Sequence, residues 1–362
     1  MGPSKGRHMN GQTLQPLVIE PKETTAIWGG DALVKVYGKT GDPNATLGES
    51  WECWDENAVR SGPYAGKSIA ELRALLGKRL MGTLEPGRIF PVLTKIIDAR
   101  KNLSVQVHPD DAYAQRVEHE PFGKTECWVI LEAQPGAELV LGWTKTTTRE
   151  EYEQRVKDGS LGDILRRVPV KPNDAFYLPS GTLHAIGEGI QLFETQQASD
   201  LTYRIFDWNR VGPDGKPRQL HVDKAGDVLN YAAGTTAQTK HLTYEIDGVR
   251  SEAYIADPRF VVERISVSGS KGTLRPNGEP IIVMSLNGSL RLESGGTPTQ
   301  LDRWTTALIP AEIDSIDLTG DAAALSVTPN RDVFMRRLER AGVASAERDA
   351  FFGQFGATPA GV

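Results

Sequence analysis

A mainly β protein, organised as two successive β domains with a few short helices, is what this sequence predicts. Three observations lead there. Strand-length apolar runs recur along most of the chain and are broken by turn residues, in a sequence carrying 37 glycines. Helix signatures are confined to a few short stretches with recognisable caps. From about 240 to 330 the chain is nearly all short strands spaced by Gly, Asn and Asp, as in "IIVMSLNGSLRLES" and "TTALIPAEIDSIDL". That spacing belongs to a sandwich or barrel.

Taken in order, residues 1–15 form a polar tail, expected to be flexible, with no apolar segment of the kind a secretory signal requires. Residues 16–60 read as extended segments interrupted by WGG, GKTGDPN and SGP. A helix is expected over 68–76, reaching toward 80, because Ser68 and Glu71 make a capping box ahead of Leu72, Leu75 and Leu76. Two strands follow, "IFPVLTKIID" and "NLSVQVHP", then a short helix opened by Asp110 and Asp111, then the strand "TECWVILEA". Thr148 and Glu151 predict a second capped helix over 148–166. Strands separated by Pro and Gly return over 170–208, and "HVDKAGDVLNY" (221–231) is expected to be a helix closing the first domain, 16–235. The second domain spans 240–330. Beyond 331 the sequence predicts one helix, "RDVFMRRLERAG", and a loose end.

Composition narrows the function. With 362 residues, 39% hydrophobic and 24% charged, this is an ordinary globular chain long enough for two domains. No apolar run approaches the roughly 18–20 residues of a membrane span. The net charge of −6 argues against a nucleic-acid partner, so an anionic substrate needs a local cluster of Lys and Arg. Cys53 and Cys127 allow at most one disulfide, which points to a reducing cytoplasm. Neither a P-loop nor a dinucleotide fingerprint is present.

Two stretches carry chemistry. In "NLSVQVHPDD" (102–111), Gln106 and His108 lie two apart on a strand and so share a face. In "NDAFYLPSGTLHAIGEG" (173–189), Pro179 and Gly181 shape a turn from which His184 points back inward. Alone, a strand histidine is more often packed or exposed than a ligand, and a buried glutamine usually satisfies backbone groups. Together with Glu126 in "GKTECW", these residues offer two imidazoles, a carboxylate and an amide oxygen. That mixed set suits Zn²⁺, and also Mn²⁺, Fe²⁺ or Co²⁺. His8, His119, His221 and His241 lack such a context and read as surface or structural, and Asp110 and Asp111 as helix caps.

The P-x-G-x-x-H turn resembles the second signature of the cupin barrel, in which the histidine binds metal. More specifically, Q-V-H-P-D-D, the following G-K-T-E and "GTLHAIGEGIQLFETQQASDLTYRIFDWNR" (181–210) resemble the type I phosphomannose isomerases in their short bacterial form, with "WGG" and "GESWE" (48–52) matching the N-terminal pattern. The resemblance covers roughly residues 20–330. It implies a cupin-type first domain and a second cupin-like domain. In the second, Pro310 and Glu312 occur where a cupin turn would recur without a following histidine, so it is expected to be metal-free. It implies one zinc held by Gln106, His108, Glu126 and His184, with Lys95, Ser104, Lys124, Glu194 and Arg204 facing the substrate. Two departures stand out. The large helical insertion of the long form shrinks here to 146–168, and the long form's tyrosine after the ligand histidine is replaced by Ile186.

The implied reaction moves a proton between C1 and C2 of mannose 6-phosphate and fructose 6-phosphate through a cis-enediol. It needs a Lewis acid, a base and a phosphate anchor. Glu194 is the candidate base and Lys124 its rival if the nearby zinc charge and burial lower its pKa. Arg204 is the candidate phosphate ligand, because a guanidinium matches phosphate bidentately. Bland readings compete: Glu194 orienting Arg204, Arg204 pairing with Asp200 or Asp207, Lys124 exposed beside a turn, Lys95 snorkelling to solvent. The partner is then a small sugar phosphate, with no nucleic acid or membrane, and a monomer or small homo-oligomer is expected. Alternatives are an isomerase of another phosphorylated or free sugar, a non-catalytic sugar-binding cupin, and an Fe²⁺ oxygenase, the last disfavoured by Gln106 and the Lys and Arg set.

Overall fold

The computed structural model describes residues 14–42, 46–85, 87–212, 215–234, 238–269 and 271–355, and these build two stacked β-sandwiches. In the first, a six-stranded antiparallel sheet runs Lys22–Gly30, Leu47–Cys53, Val92–Ala99, Ile190–Gln197, Glu126–Ala133, Ala175–Leu178. Opposite it lies a five-stranded sheet in the order Tyr203–Phe206, Val105–Val107, His184–Ile186, Glu138–Trp143, Leu165–Pro169. Trp28, Ile97, Trp128, Leu141, Phe176 and Leu192 belong to the apolar cluster between them.

Strand alternation explains where the site sits. Along Ile190–Gln197 the inward face runs Leu192, Glu194, Gln196, and along Glu126–Ala133 it runs Glu126, Trp128, Ile130. Polar side chains therefore gather at one end of the interior and apolar ones fill the other. Every residue of Val92–Ala99 is buried. Its outward Val92 and Ile96 join Cys53, Cys127 and Phe193 in a core shared with Tyr254, Val262, Met284 and Leu308 of the second sandwich. Covering both faces is why this segment reads as a continuous apolar run.

The second sandwich pairs a seven-stranded sheet, Leu17–Val18, Thr306–Ile309, Ile281–Asn287, Ala322–Thr328, Phe260–Val267, Val249–Asp257, Leu242–Ile246, with a four-stranded one. Leu17–Val18 thus precedes the first sandwich in sequence yet pairs with Thr306–Ile309 of the second. Helices Arg149–Asp158 and Val222–Val228 cover the outer face of the five-stranded sheet through Tyr152 and Ala225.

The Ser68–Glu71 capping box forms as expected, with both reciprocal hydrogen bonds present. Elsewhere three expectations are corrected. The 148–166 helix stops at Asp158, where Gly159 adopts φ 78°, and Leu165–Pro169 is instead an edge strand paired with Glu138–Trp143. Thr148 caps Glu151, but the Glu151 carboxylate turns to Thr147, Lys145 and Arg155, so the reciprocal half is missing. The segment after the 331–340 helix is not loose through residue 355. It forms a helix, Ser345–Phe352, and a turn, Gly353–Phe355, because Phe351 and Phe355 find burial in the shared core. Residues 1–13 of the expected tail and the terminal 356–362 lie outside the described residues, while Leu14 is buried.

Candidate metal centre and active site

The site grows from the register of the two facing sheets. On the five-stranded sheet, His184 is paired directly with Gln106, and Gln106 with Arg204 on its other side. On the six-stranded sheet, Glu194 is paired with Lys95 and with Trp128. The turn before His184 depends on Gly181, whose φ of 84° suits glycine and whose absent Cβ would lie 2.8 Å from the Val228 carbonyl. Its N–H donates to the His108 carbonyl at 2.9 Å, tying the two histidine segments together.

His108, Glu126 and His184 converge with one possible ligand atom from each lying within 4.8 Å of the others, all three side chains buried. The Nδ1 of His108 faces the Leu201 carbonyl at 2.7 Å, and the Nδ1 of His184 faces the Thr182 carbonyl at 2.9 Å. Both rings therefore carry their proton on Nδ1 and present a bare Nε2 inward, the arrangement a ligating imidazole requires. Those Nε2 atoms stand 3.4 and 3.2 Å from the Glu126 oxygens. Burial, reinforced by the Lys124 charge, pushes His108 down to about 3, and burial also lowers His184, so both rings stay neutral.

Burial alone would raise the Glu126 pKa, but the adjacent Lys124 charge holds it well below the usual range. Both Glu126 oxygens are nevertheless buried without an aligned hydrogen-bond donor, although Lys124 lies 2.9 Å away. An ionised carboxylate and two neutral imidazoles facing one point, with those oxygens unsatisfied, fit a divalent cation. Gln106 stands beside this group. Its amide nitrogen faces His184 Nε2 at 3.2 Å, and half a turn of the amide would offer the carbonyl oxygen in its place. Ser104 Oγ supports that amide at 3.5 Å.

Beside this group opens a pocket of about 360 Å³, lined among others by Lys95, Ser104, Gln106, Lys124, Glu194 and Arg204. The two sheets and the segments leading into them thus bring the candidate ligands together with Lys95, Ser104, Lys124, Glu194 and Arg204. Lys124 is buried, and although desolvation opposes its charge, Glu126, Glu194 and Asp200 raise its pKa. The lowering expected from burial is outweighed by these carboxylates. Glu194 lies 3.9 Å from Lys124 and 3.8 Å from Lys95, and accepts from Trp128 Nε1 at 2.8 Å. Burial first, then Glu126, push its carboxyl up to about 7.

The bland alternatives fail on geometry. Lys95 does not snorkel; it is buried and pairs with Glu49 at 3.1 Å. Asp207 is held by Arg210 and Arg218. Arg204 donates to the Gln219 carbonyl at 3.0 Å, and its Nε is buried without a partner.

The sequence reading missed Glu49, Trp28, Asp200 and Arg218, all of which line the pocket. Asp200 stood within the quoted 181–210 stretch and Glu49 within GESWE; Arg218, at the end of a loop, offered no signal. His221, read as structural, exchanges backbone and ring hydrogen bonds with Arg204.

Residues 17–154 match the phosphomannose isomerase type I catalytic domain. The chain is 36% identical over 321 residues to the mannose-6-phosphate isomerase of Streptococcus mutans, covering 87% of this chain and 99% of that one. The crystal structure of the mannose 6-phosphate isomerase from Bacillus subtilis superposes with a TM-score of 0.81 at 31% identity, over 87% of this chain and 99% of that one. A zinc-bound mannose 6-phosphate isomerase shares the fold at a TM-score of 0.69 and 14% identity, over 87% and 99% of the respective chains. The chain belongs to the type I phosphomannose isomerase family.

Proposed function

We propose that the chain is a zinc-dependent aldose–ketose isomerase that interconverts mannose 6-phosphate and fructose 6-phosphate. The observation that carries this reading is a buried group of two neutral imidazoles and an ionised carboxylate, opening onto a pocket that holds both a poised carboxylate and guanidinium groups. Its cations are Lys95, Lys124, Arg204 and Arg218, against the carboxylates Glu49, Glu194 and Asp200, a local positive excess in a chain of net charge −6.

Gln106, His108, Glu126 and His184 would hold the zinc. When bound, it would supply Lewis-acid polarisation of a sugar oxygen. Glu194 takes the proton from C2 or C1 and returns it to the neighbouring carbon, the exchange that defines a cis-enediol path. A carboxyl near neutrality is suited to both halves of that exchange. Lys124 remains charged and donates to the oxygen on which negative charge develops, rather than acting as the base. Lys95 and Ser104 contact sugar hydroxyls, and Arg204 receives the phosphate. Cys53 and Cys127 are free and buried, in keeping with a reducing cytoplasm.

The test is a coupled assay of mannose 6-phosphate conversion before and after chelation and zinc re-addition. Expected is loss on chelation and recovery with zinc. Conversion of another sugar instead would move the substrate assignment. Tight sugar binding with no exchange of the C2 proton into solvent would make the protein a sensor and overturn the proposal.

A further inference from the structure

Lys124 precedes the strand Glu126–Ala133 and is not held by its ladder, so something else must fix its place. Three contacts do. The Lys124 N–H donates to the Pro109 carbonyl at 3.0 Å, the Gly123 N–H to Asp111 Oδ1 at 2.8 Å, and the Thr125 N–H to Gln197 Oε1 at 2.9 Å. Gln197 then donates from Nε2 to the same Asp111 oxygen at 2.9 Å, closing the circuit. Gly123 is needed for this approach, since a Cβ there would lie 2.4 Å from the Pro109 carbonyl. Asp110, by contrast, caps the short helix through the Tyr113 N–H, so the two neighbouring aspartates have separate tasks.

We propose that Asp111, with Gln197, is a positioning residue for Lys124, and that Arg259 brings the second sandwich into that role. Arg259 follows the strand Val249–Asp257 and its guanidinium stands 3.7 Å from Asp111 Oδ2. Asp111 thus joins the segment after His108, the lysine segment, the glutamate strand and the second half of the chain. It does not touch the substrate pocket. Its influence runs through the backbone on either side of Lys124, where Gly123 has little stiffness of its own. The inference rests on the role given to Lys124 above.

Asp111→Ala and Asp111→Asn are compared with the wild type, with zinc content and thermal unfolding measured alongside kinetics. A displacement of about 1 Å at a reacting group costs on the order of 10²-fold. Asp111→Ala is therefore expected to lose on the order of 10²-fold in kcat per zinc-loaded protein, with KM little changed. Asp111→Asn, whose amide oxygen can accept the same two donors, should recover most of the loss. Gln197→Met serves if Asp111→Ala does not fold, and should show the same kcat loss. Crystal structures of the variants supply a readout independent of activity: Lys124 should leave ion-pair reach of Glu126 in Asp111→Ala and keep it in Asp111→Asn. Wild-type inactivity on mannose 6-phosphate would overturn the functional reading while the structural comparison still decides this one. Undisturbed Lys124, or equal kcat losses in the alanine and asparagine variants, would overturn the positioning role.

Discussion

Replacing Arg204 by alanine removes the guanidinium proposed to meet the phosphate, and the size of the effect follows from its surroundings. Arg204 is half-buried, its Nε is sequestered without a partner, and Nη1 donates to the Gln219 carbonyl. Burial and the neighbouring Arg218 charge lower its pKa, an environment that favours an incoming anion. Two charge-assisted hydrogen bonds to a phosphate contribute about 1.5–3 kcal/mol each, about 3–6 kcal/mol together. At about 1.36 kcal/mol per decade, that is on the order of 10²–10⁴ in kcat/KM. Arg218 remains in the pocket, although Asp207 neutralises it at 2.6 Å, so the lower part of that range is expected. The decisive assay is a cycle of two enzymes against two substrates, mannose 6-phosphate and mannose, each followed by coupled conversion to the ketose. Arg204→Ala should cost about 10²-fold or more with the phosphorylated sugar and little with the free one. Equal losses on both substrates would place Arg204 at the reacting carbons and refute the anchor.

Other consequences follow from the buried charges. Glu126→Ala should abolish stoichiometric zinc binding along with activity, read by metal analysis after dialysis; retained zinc would contradict the assigned ligand set. Glu194→Gln should lower kcat by about 10²–10⁴-fold while leaving zinc content intact. In the wild type, kcat/KM should fall as pH drops through the Glu194 pKa, because the base must be ionised; zinc charge should bring that limb below the value of about 7 set by burial and Glu126. Trp128→Phe deletes a hydrogen bond to the ionised carboxylate, so the acid limb should move to higher pH by about 1–2 units, and a shift the other way would count against Glu194 as the base. Gly181→Ala forces a side chain into φ 84° against the Val228 carbonyl, with an expected loss of about 1–3 kcal/mol seen as a lower Tm.

What the sequence made legible was local. Gln106 and His108 two residues apart, and His184 three after Gly181, announce shared faces and a turn, and both appear in the register of the five-stranded sheet. Where the helix stops at 158 rather than the expected 166, and where Ser345–Phe355 is ordered rather than loose, the deciding force was tertiary: an edge position in a sheet, and a core waiting for Phe351 and Phe355. The same limit applies to Asp110 and Asp111, which read alike as caps, while only Asp110 caps and Asp111 reaches residues far along the chain.

Lys124 shows the limit most sharply. Its neighbours in sequence cannot fix the sign of its pKa shift, because that sign is a contest between burial, which lowers it, and Glu126, Glu194 and Asp200, which raise it. Three carboxylates around one buried ammonium decide the contest in favour of the charged form. The Glu194 pKa also rises, because its carboxyl is buried beside Glu126, and for a carboxyl that shift favours the neutral form. Both pKa values in this pocket are thus pushed up, which holds the lysine as a cation and brings the carboxyl near neutrality. Under the proposed function, Glu194 then carries the proton and Lys124 meets the developing negative charge.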